Sequence, residues 1–299
     1  MSNPNSIKEP IRYVKRDSND KIIPPFPFNP WELTKQTRKI VCRKINGIVQ
    51  RKYTDFYAVG VYGGIATAYS VGCNFRCIFC WVDWSRDWPE LYGDFYSPDE
   101  VYSKLRSIMS IKGLKRARIS GAEPTLCPDH LCSVLDLVNK EAEKFELFVI
   151  ETNGVVLAND ESLAPRLYKY ASRDQRKGTV GHVRLSIRGG LPEKFEEKTG
   201  CNKEFVDQPF KAAERLWNAG VSFHVAVVVD PRFTTMKDKE IIYNKLKKID
   251  PMVRREVEEE YLSPYPHALV RLRAVGREDV TGKKMPLKER AVLKKRPSY

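Results

Sequence analysis

From residue 63 onward, short runs of β-branched and apolar residues alternate with longer stretches in which apolar positions recur every three to four residues. The runs at 65–71, 116–120, 147–152, 182–187, 222–230 and 269–275 predict strands. Between them, 98–111, 128–145, 161–171, 205–219 and 238–249 predict helices. In the second of these, Leu131, Val134, Leu135 and Val138 share helical spacing; the first is announced by Ser97-Pro98-Asp99-Glu100, an N-cap, a proline at the first position and early acids. Six strands alternating with five helices imply parallel βαβ units with right-handed crossovers, an α/β fold. The pattern leaves closure open, because a barrel and an open doubly wound sheet alternate alike. In both, ligands gather at the carboxyl ends of the strands. Residues 1–60 break the rhythm with Pro24-Pro25, Pro27 and Pro30, and predict an extension wrapped on the body.

Composition removes several classes. With 299 residues, 42% hydrophobic, 30% charged and 19 scattered prolines, the chain is neither collagen-like, nor low-complexity, nor a coiled coil. No apolar run approaches the ~20 residues that cross a bilayer, so no membrane association is expected. The first residues carry no apolar signal region, which predicts a cytoplasmic location and seven cysteines that are reduced or bound to metal. The net charge of +14 is unevenly placed: residues 1–52 contribute +8 and residues 283–299 contribute +6, while the stretch between is neutral. Such arms suit a nucleic-acid backbone, whose counterions each bound cation releases, and equally suit a solvated tail.

Three cysteines, Cys73, Cys77 and Cys80, stand in the loop after the first predicted strand. Three thiolates at this spacing can hold three irons of a cubane cluster and leave the fourth open. A structural zinc would need a fourth ligand from elsewhere, such as Cys42, Cys127, Cys132 or a histidine. Three buried thiols without metal are the remaining alternative.

The C-x3-C-x2-C spacing, with Phe79 before the last cysteine, resembles the radical S-adenosylmethionine (radical SAM) superfamily. Ser120-Gly121-Ala122-Glu123-Pro124-Thr125 closes the second predicted strand and is similar to that family's GGE motif, with Ala122 replacing the second glycine. Glu151-Thr152-Asn153-Gly154 and Leu185-Ser186-Ile187-Arg188-Gly189 close the third and fourth, and resemble segments of the activase-like and molybdenum-cofactor-type branches. Phe79-Cys80-Trp81 is similar to the tripeptide of the wyosine-forming tRNA enzymes, although their extra N-terminal cysteines are missing here.

The resemblance implies a partial (β/α)6 TIM-like barrel of parallel strands with N- and C-terminal extensions, divided at 1–60, 61–277 and 278–299. It implies a 4Fe-4S cluster on Cys73, Cys77 and Cys80, SAM on the open iron, and a low-potential electron donor as partner. Reductive cleavage would then yield a 5′-deoxyadenosyl radical that abstracts a substrate hydrogen. Glu123 would orient the SAM ammonium, with the backbone at Gly121 and Ala122 approaching closely. Asn153 and Ser186 would meet the ribose, Phe79 the adenine, and Arg188 a carboxylate or phosphate. Val227 and Val229 would line the adenine side. RNA, tRNA in particular, is the expected substrate and partner of the basic segments; a protein or small metabolite is the alternative, and a non-enzymatic iron–sulfur or zinc protein is the third reading.

Other residues carry plainer expectations. Trp81, Trp84 and Trp88 are spaced for one helical face and, with Tyr92, Phe95 and Tyr96, suggest cluster shielding. His182, His224 and His267 read as satisfied core histidines. Cys42 and Cys201 look isolated, and Cys127 and Cys132 stand five apart at a helix start.

Overall fold

The computed structural model describes residues 27–263, 265–277 and 280, and the backbone of two short strands, β1 (Lys15–Arg16) and β2 (Ile22–Ile23). The remaining strands are β3 (Cys42–Ile45), β4 (Ile48–Val59), β5 (Ile65–Ser70), β6 (Asp94–Tyr96), β7 (Arg116–Gly121), β8 (Leu147–Thr152), β9 (Gly181–Ile187), β10 (Phe223–Val228) and β11 (Val257–Glu260). The helices are α1 (Pro30–Val41), α2 (Pro98–Lys112), α3 (Pro128–Lys140), α4 (Val155–Asn159), α5 (Leu163–Tyr168), α6 (Pro192–Thr199), α7 (Gln208–Asn218), α8 (Met236–Ile249), α9 (Pro251–Arg255) and α10 (Pro266–Ala274).

Strands β5, β7, β8, β9, β10 and β11 are parallel and adjacent in that order; β4 and β3 extend the sheet antiparallel beyond β5, and β6 pairs with β4. The sheet does not close, since β11 and β3 are its two ends. This is the mixed α/β, mostly parallel architecture that the alternating pattern predicts. Residues 30–59, expected within an N-terminal extension, supply α1 and two strands of this sheet.

Side-chain parity builds two faces. Ala117, Ile119, Phe148, Ile150, Val183, Leu185, Ile187, Val225 and Val227 pack outward against Leu105, Val134, Leu135, Leu216, Ile242 and Leu246 of the helices. The opposite parity is polar: Arg118, Glu151, Arg184 and Glu258 line one cavity together with Tyr57 from β4. Because strands far apart in sheet order share that cavity, the sheet curves around it as a partial barrel.

Three expectations need correction. Residues 269–275 form not the sixth strand but helix α10, with Pro266 in its first turn and Ala268, Leu269, Val270 and Leu272 buried. The sixth parallel strand is β11, whose Glu258 and Glu260 face the cavity, so its apolar signal is weak. Residues 81–92 contain no α-helix, only the 3-10 turn Trp84–Arg86 capped by Asp83, so the three tryptophans share no helical face. Trp84 and Trp88 are buried together, with ring centroids 5.3 Å apart, while Trp81 remains partly exposed. Helices α4 and α6 were not anticipated.

Candidate active site

The loop that leaves β5 turns at Gly72, whose φ is +79° and whose Cβ position would lie 2.7 Å from Thr37. Glycine is required there on both counts. The three cysteines follow, and each of their carbonyls is held by a buried arginine. Arg76 Nη1 donates to Cys73 O at 2.6 Å, Arg86 Nη1 to Cys77 O at 2.8 Å, and Arg271 Nη1 to Cys80 O at 2.6 Å. Asp87, fully buried, gathers these cations: Arg86 Nη2 lies at 2.7 Å, Arg271 Nη2 at 2.5 Å and Arg76 Nε at 4.0 Å. Their charge holds the Asp87 carboxyl well below the usual carboxylate range, overcoming the opposing effect of burial. The loop is further pinned to the end of α6 by Arg76 N to Thr199 O and Ile78 N to Lys198 O.

Across from the cysteines, β7 runs on into Ala122 and Glu123, whose amides donate to Ser70 O and Gly72 O. Gly121 adopts φ +88°, and a Cβ there would come within 3.1 Å of Ser70 O and the Tyr69 ring. Glu123 is only 1% exposed, which removes a solvated loop role. Its Oε1 accepts from Thr125 N, Thr125 Oγ1 and Thr152 Oγ1, and its Oε2 accepts a single bond here, from Asn153 N at 2.8 Å. Burial raises its pKa despite these donors. Arg51, also buried, donates to Glu123 O at 2.7 Å and so fixes the backbone beneath it.

Asn153 is committed to the cysteine loop. Its Nδ2 donates to Asn74 Oδ1 at 2.6 Å and approaches Cys73 Sγ at 3.7 Å, while its Oδ1 accepts from Val155 N. Arg188 Nη1 donates to Glu260 Oε2 at 2.7 Å, and its guanidinium lies 5.8 Å from the Phe79 ring centroid. At 19% exposure, this is a half-buried ion pair inside the cavity rather than one at the surface.

One cavity, open to solvent, is lined by Cys73, Cys77, Cys80, Phe79, Gly121, Ala122, Glu123, Asn153, Ser186 and Arg188. Every site residue expected from the sequence is therefore brought together except the valines. Val227 is fully buried and packs outward against the helices, with Val229 in the same core. Val228 is the residue that turns toward Phe79 and Phe233. Burial pushes the Cys73 thiol up to about 12 and the Cys77 thiol up to about 11. Among the described residues no three His, Cys, Asp or Glu side chains converge closely enough to hold a single metal ion.

Below this cavity the inner face of the sheet carries a polar ladder. Arg118 Nη1 donates to Glu151 at 2.6 Å, Arg184 to both Glu258 and Glu260, and Ser120 Oγ to Glu151. His182 and His224 belong to it: Ser222 Oγ, His182, His224 and Glu258 form a chain with separations of 2.8, 2.7 and 2.9 Å. These histidines are hydrogen-bonded, as expected, but they face the interior of the barrel rather than an apolar core. Their signal was present as alternation, His182, Arg184, Ser186 and Arg188 at every second position. Arg76, Arg86, Asp87 and Arg271 left no comparable trace.

Two cysteines expected to be reduced, Cys42 and Cys127, are paired in a disulfide with Cα atoms 6.1 Å apart. Strand β3 and the start of α3 bring them together from 85 residues apart. Cys132 and Cys201 are buried free thiols. Among the described residues no helix is long and apolar enough to cross a membrane.

Comparison with known proteins agrees with this geometry. The chain is 28% identical over 160 residues to the 7-carboxy-7-deazaguanine synthase of Methanothermobacter thermautotrophicus, a match covering 54% of this chain and 59% of that one. It is 25% identical over 168 residues to a GTP 3′,8-cyclase of Haemophilus influenzae, covering 56% and 44%. The chain thus spans about half the length of these relatives. Among solved structures, SuiB of Streptococcus suis bound to its precursor peptide SuiA shares 15% identity and a TM-score of 0.48, over 73% of this chain and 46% of that one. The family model of the radical SAM superfamily matches residues 67–242, more than half of the chain. The protein belongs to the radical SAM superfamily, enzymes that use a 4Fe-4S cluster and S-adenosylmethionine.

Proposed function

We propose that Cys73, Cys77 and Cys80 hold the cluster and that the cavity they share with Glu123 receives SAM. The carrying observation is that these four residues line one cavity at the carboxyl ends of parallel strands. The donor set fits the group: three thiols of one short loop line a common space, as a 4Fe-4S cluster with one open iron needs. Buried Arg76 and Arg86, donating to the carbonyls of Cys73 and Cys77, fix the loop before iron arrives.

When bound, the cluster supplies one electron, drawn from a low-potential donor, for cleaving SAM to methionine and a 5′-deoxyadenosyl radical that takes a hydrogen atom from substrate. Glu123 offers Oε2 to the SAM ammonium while its other oxygen is held by Thr125 and Thr152. Gly121 and Ala122 let the ligand approach the backbone, and Ser186 faces the ribose. Phe79, packed on Phe233 at 5.4 Å, excludes water from the adenine side. Arg188, anchored by Glu260, presents its remaining N–H groups to a carboxylate. Asn153 holds Asn74 and Cys73 in place; its amide is spent on that task.

For substrate, RNA is the reading supported by the Phe79-Cys80-Trp81 resemblance and by the basic segment 283–299, which lies outside the described residues. A small guanine-derived metabolite is the second reading, supported by the names of the two sequence relatives. Full-length protein and a variant ending at residue 282 separate them in a tRNA-binding titration at several salt concentrations. RNA action predicts affinity that falls steeply with salt and weakens on truncation. Unchanged affinity with a flat salt response refutes it. The location expected for such oxygen-sensitive chemistry is the cytoplasm.

A further inference from the structure

A second chamber opens from the first and shares Trp81, Glu151, Arg184 and Glu260 with it. Its walls are aromatic: Tyr57, Tyr62, Trp81, Tyr261 and Tyr265. Tyr261 and Tyr265 are 67% and 53% exposed, and Trp81 38%, unusual for large rings unless something covers them. Trp81 packs edge-on to Tyr69 at 5.6 Å and is tilted toward Tyr265 at 6.3 Å, so its ring is held at the mouth. Tyr62 sits at φ +54°, a left-handed conformation rarely adopted by a bulky residue, retained where its ring meets the chamber.

The floor is charged yet balanced. Arg118 pairs with Glu151 and Arg184 with Glu258 and Glu260, and Arg188 of the first cavity pairs with Glu260 from behind. Glu259 is engaged by Lys239 at 2.8 Å. No excess of positive charge awaits a phosphate, and each of the four lining glutamates already has a cationic partner, Glu259 and Glu260 with help from Lys239 and Arg188 outside the lining. Guanidinium N–H groups and carboxylate oxygens nevertheless alternate along the floor. An apolar ring entering this space would strip them of water without replacing its hydrogen bonds, at a cost that polar recognition avoids.

We propose that this chamber receives a planar, uncharged nitrogen heterocycle with both donors and acceptors on its edge, the chemistry of a nucleobase, and leaves any attached phosphate outside. The faces stack on the tyrosines and Trp81, and the edge meets the arginine–glutamate pairs. The inference rests on the neighbouring cavity being the SAM site, since that neighbour gives the chamber its role as substrate space. A free nucleoside and a base turned out of an RNA strand share this chemistry.

Equilibrium dialysis distinguishes these sources, using anaerobically reconstituted full-length protein with and without SAM. The probes are the four ribonucleosides, single-stranded oligoribonucleotides containing them, indole as a ring lacking the mixed edge, and inorganic pyrophosphate. Saturable binding of at least one free nucleoside, with indole and pyrophosphate at least tenfold weaker, is expected if the source is a small molecule. Binding seen only within an oligoribonucleotide assigns the source to RNA. In either case Tyr265→Ala and Glu258→Gln each weaken binding about tenfold, while circular dichroism and iron content stay unchanged. Absence of nucleoside binding in both forms, equal binding of indole or pyrophosphate, or indifference to both substitutions overturns the proposal. SAM retention and iron content on the same samples report separately on the reading it rests on, and the dialysis without SAM is informative even where SAM is not retained.

Discussion

Arg271 donates to the carbonyl of Cys80 at 2.6 Å from 191 residues further along the chain. The contact ties the last described helix to the last of the three cysteines. The same guanidinium reaches Val82 O, Asp83 O and Asp87, so one buried side chain organises the whole stretch from Cys80 to Asp87.

Replacing Arg271 by methionine keeps much of its volume and removes those bonds. Leaving Asp87 and several carbonyls short of partners should cost about 3–5 kcal/mol. For a domain of this size that lowers the melting temperature by on the order of 10 °C. Iron bound after reconstitution should fall with it. Differential scanning fluorimetry and iron analysis check both; an unchanged melting temperature with full iron content would show that the arginine is dispensable.

Glu123→Gln tests the buried carboxylate. Glutamine retains the shape but offers only one accepting oxygen where Thr125, Thr152 and Asn153 place four donors. SAM affinity should drop at least tenfold, and iron content should not change, because the cysteines lie on a different loop. SAM titration of reconstituted protein gives the answer; wild-type affinity would remove Glu123 from the SAM site.

Acid sensitivity follows from buried histidines. His130 is fully buried, its Nδ1 donating to Val49 O and its Nε2 accepting from Tyr53 OH, and burial lowers its pKa to about 4. Burial likewise lowers His182 and His267 to about 4. The unfolded chain, with ordinary histidine values near 6.5, therefore binds more protons than the folded one between about pH 6.5 and 4. Stability is complete above that window and falls as pH drops through it, by on the order of 3 kcal/mol for His130 alone. Urea unfolding at pH 7.5, 6 and 5 measures this. A pH-independent midpoint would contradict the neutral, buried state of His130.

The chain from Ser222 to Glu258 fixes two tautomers. Glu258 is held well below the usual carboxylate range by His224 and Arg184 and can only accept, so His224 donates from Nε2. Its Nδ1 must then accept from His182 Nε2, and His182 Nδ1 accepts from Ser222 Oγ. Long-range 1H–15N correlation spectra should show both imidazoles protonated at Nε2. Protonation of either at Nδ1 instead would break the chain.

The sequence was most legible where one face of a strand differs from the other, or where a motif is local. The cysteine loop, Glu123, Asn153 and Ser186 all stand at strand ends that the alternating pattern places correctly. Val227 was misplaced because Val225–Val229 is an apolar run interrupted only by Ala226, with no polar residue to mark which parity faces the cavity. Strand β11 was hidden for the opposite reason: its inward residues are glutamates, and it reads as charged coil. Helix α10 took its place because Ala268-Leu269-Val270-Arg271-Leu272 is apolar enough for a strand, and its buried Arg271 is explained only by partners far away in sequence. The arginine–aspartate support under the cysteines and the Cys42–Cys127 pair are long-range as well, and no local spacing encodes them.

The most direct test is 5′-deoxyadenosine formation from SAM by anaerobically reconstituted protein with a strong reductant, with substrate pools such as bulk tRNA and nucleosides supplied, beside the Cys77→Ala variant. The account predicts 5′-deoxyadenosine from the wild type and none from the variant, which should also lose its iron. Wild-type protein that carries a full cluster yet neither binds nor cleaves SAM, or a variant that cleaves it equally well, would contradict the assignment of this cavity.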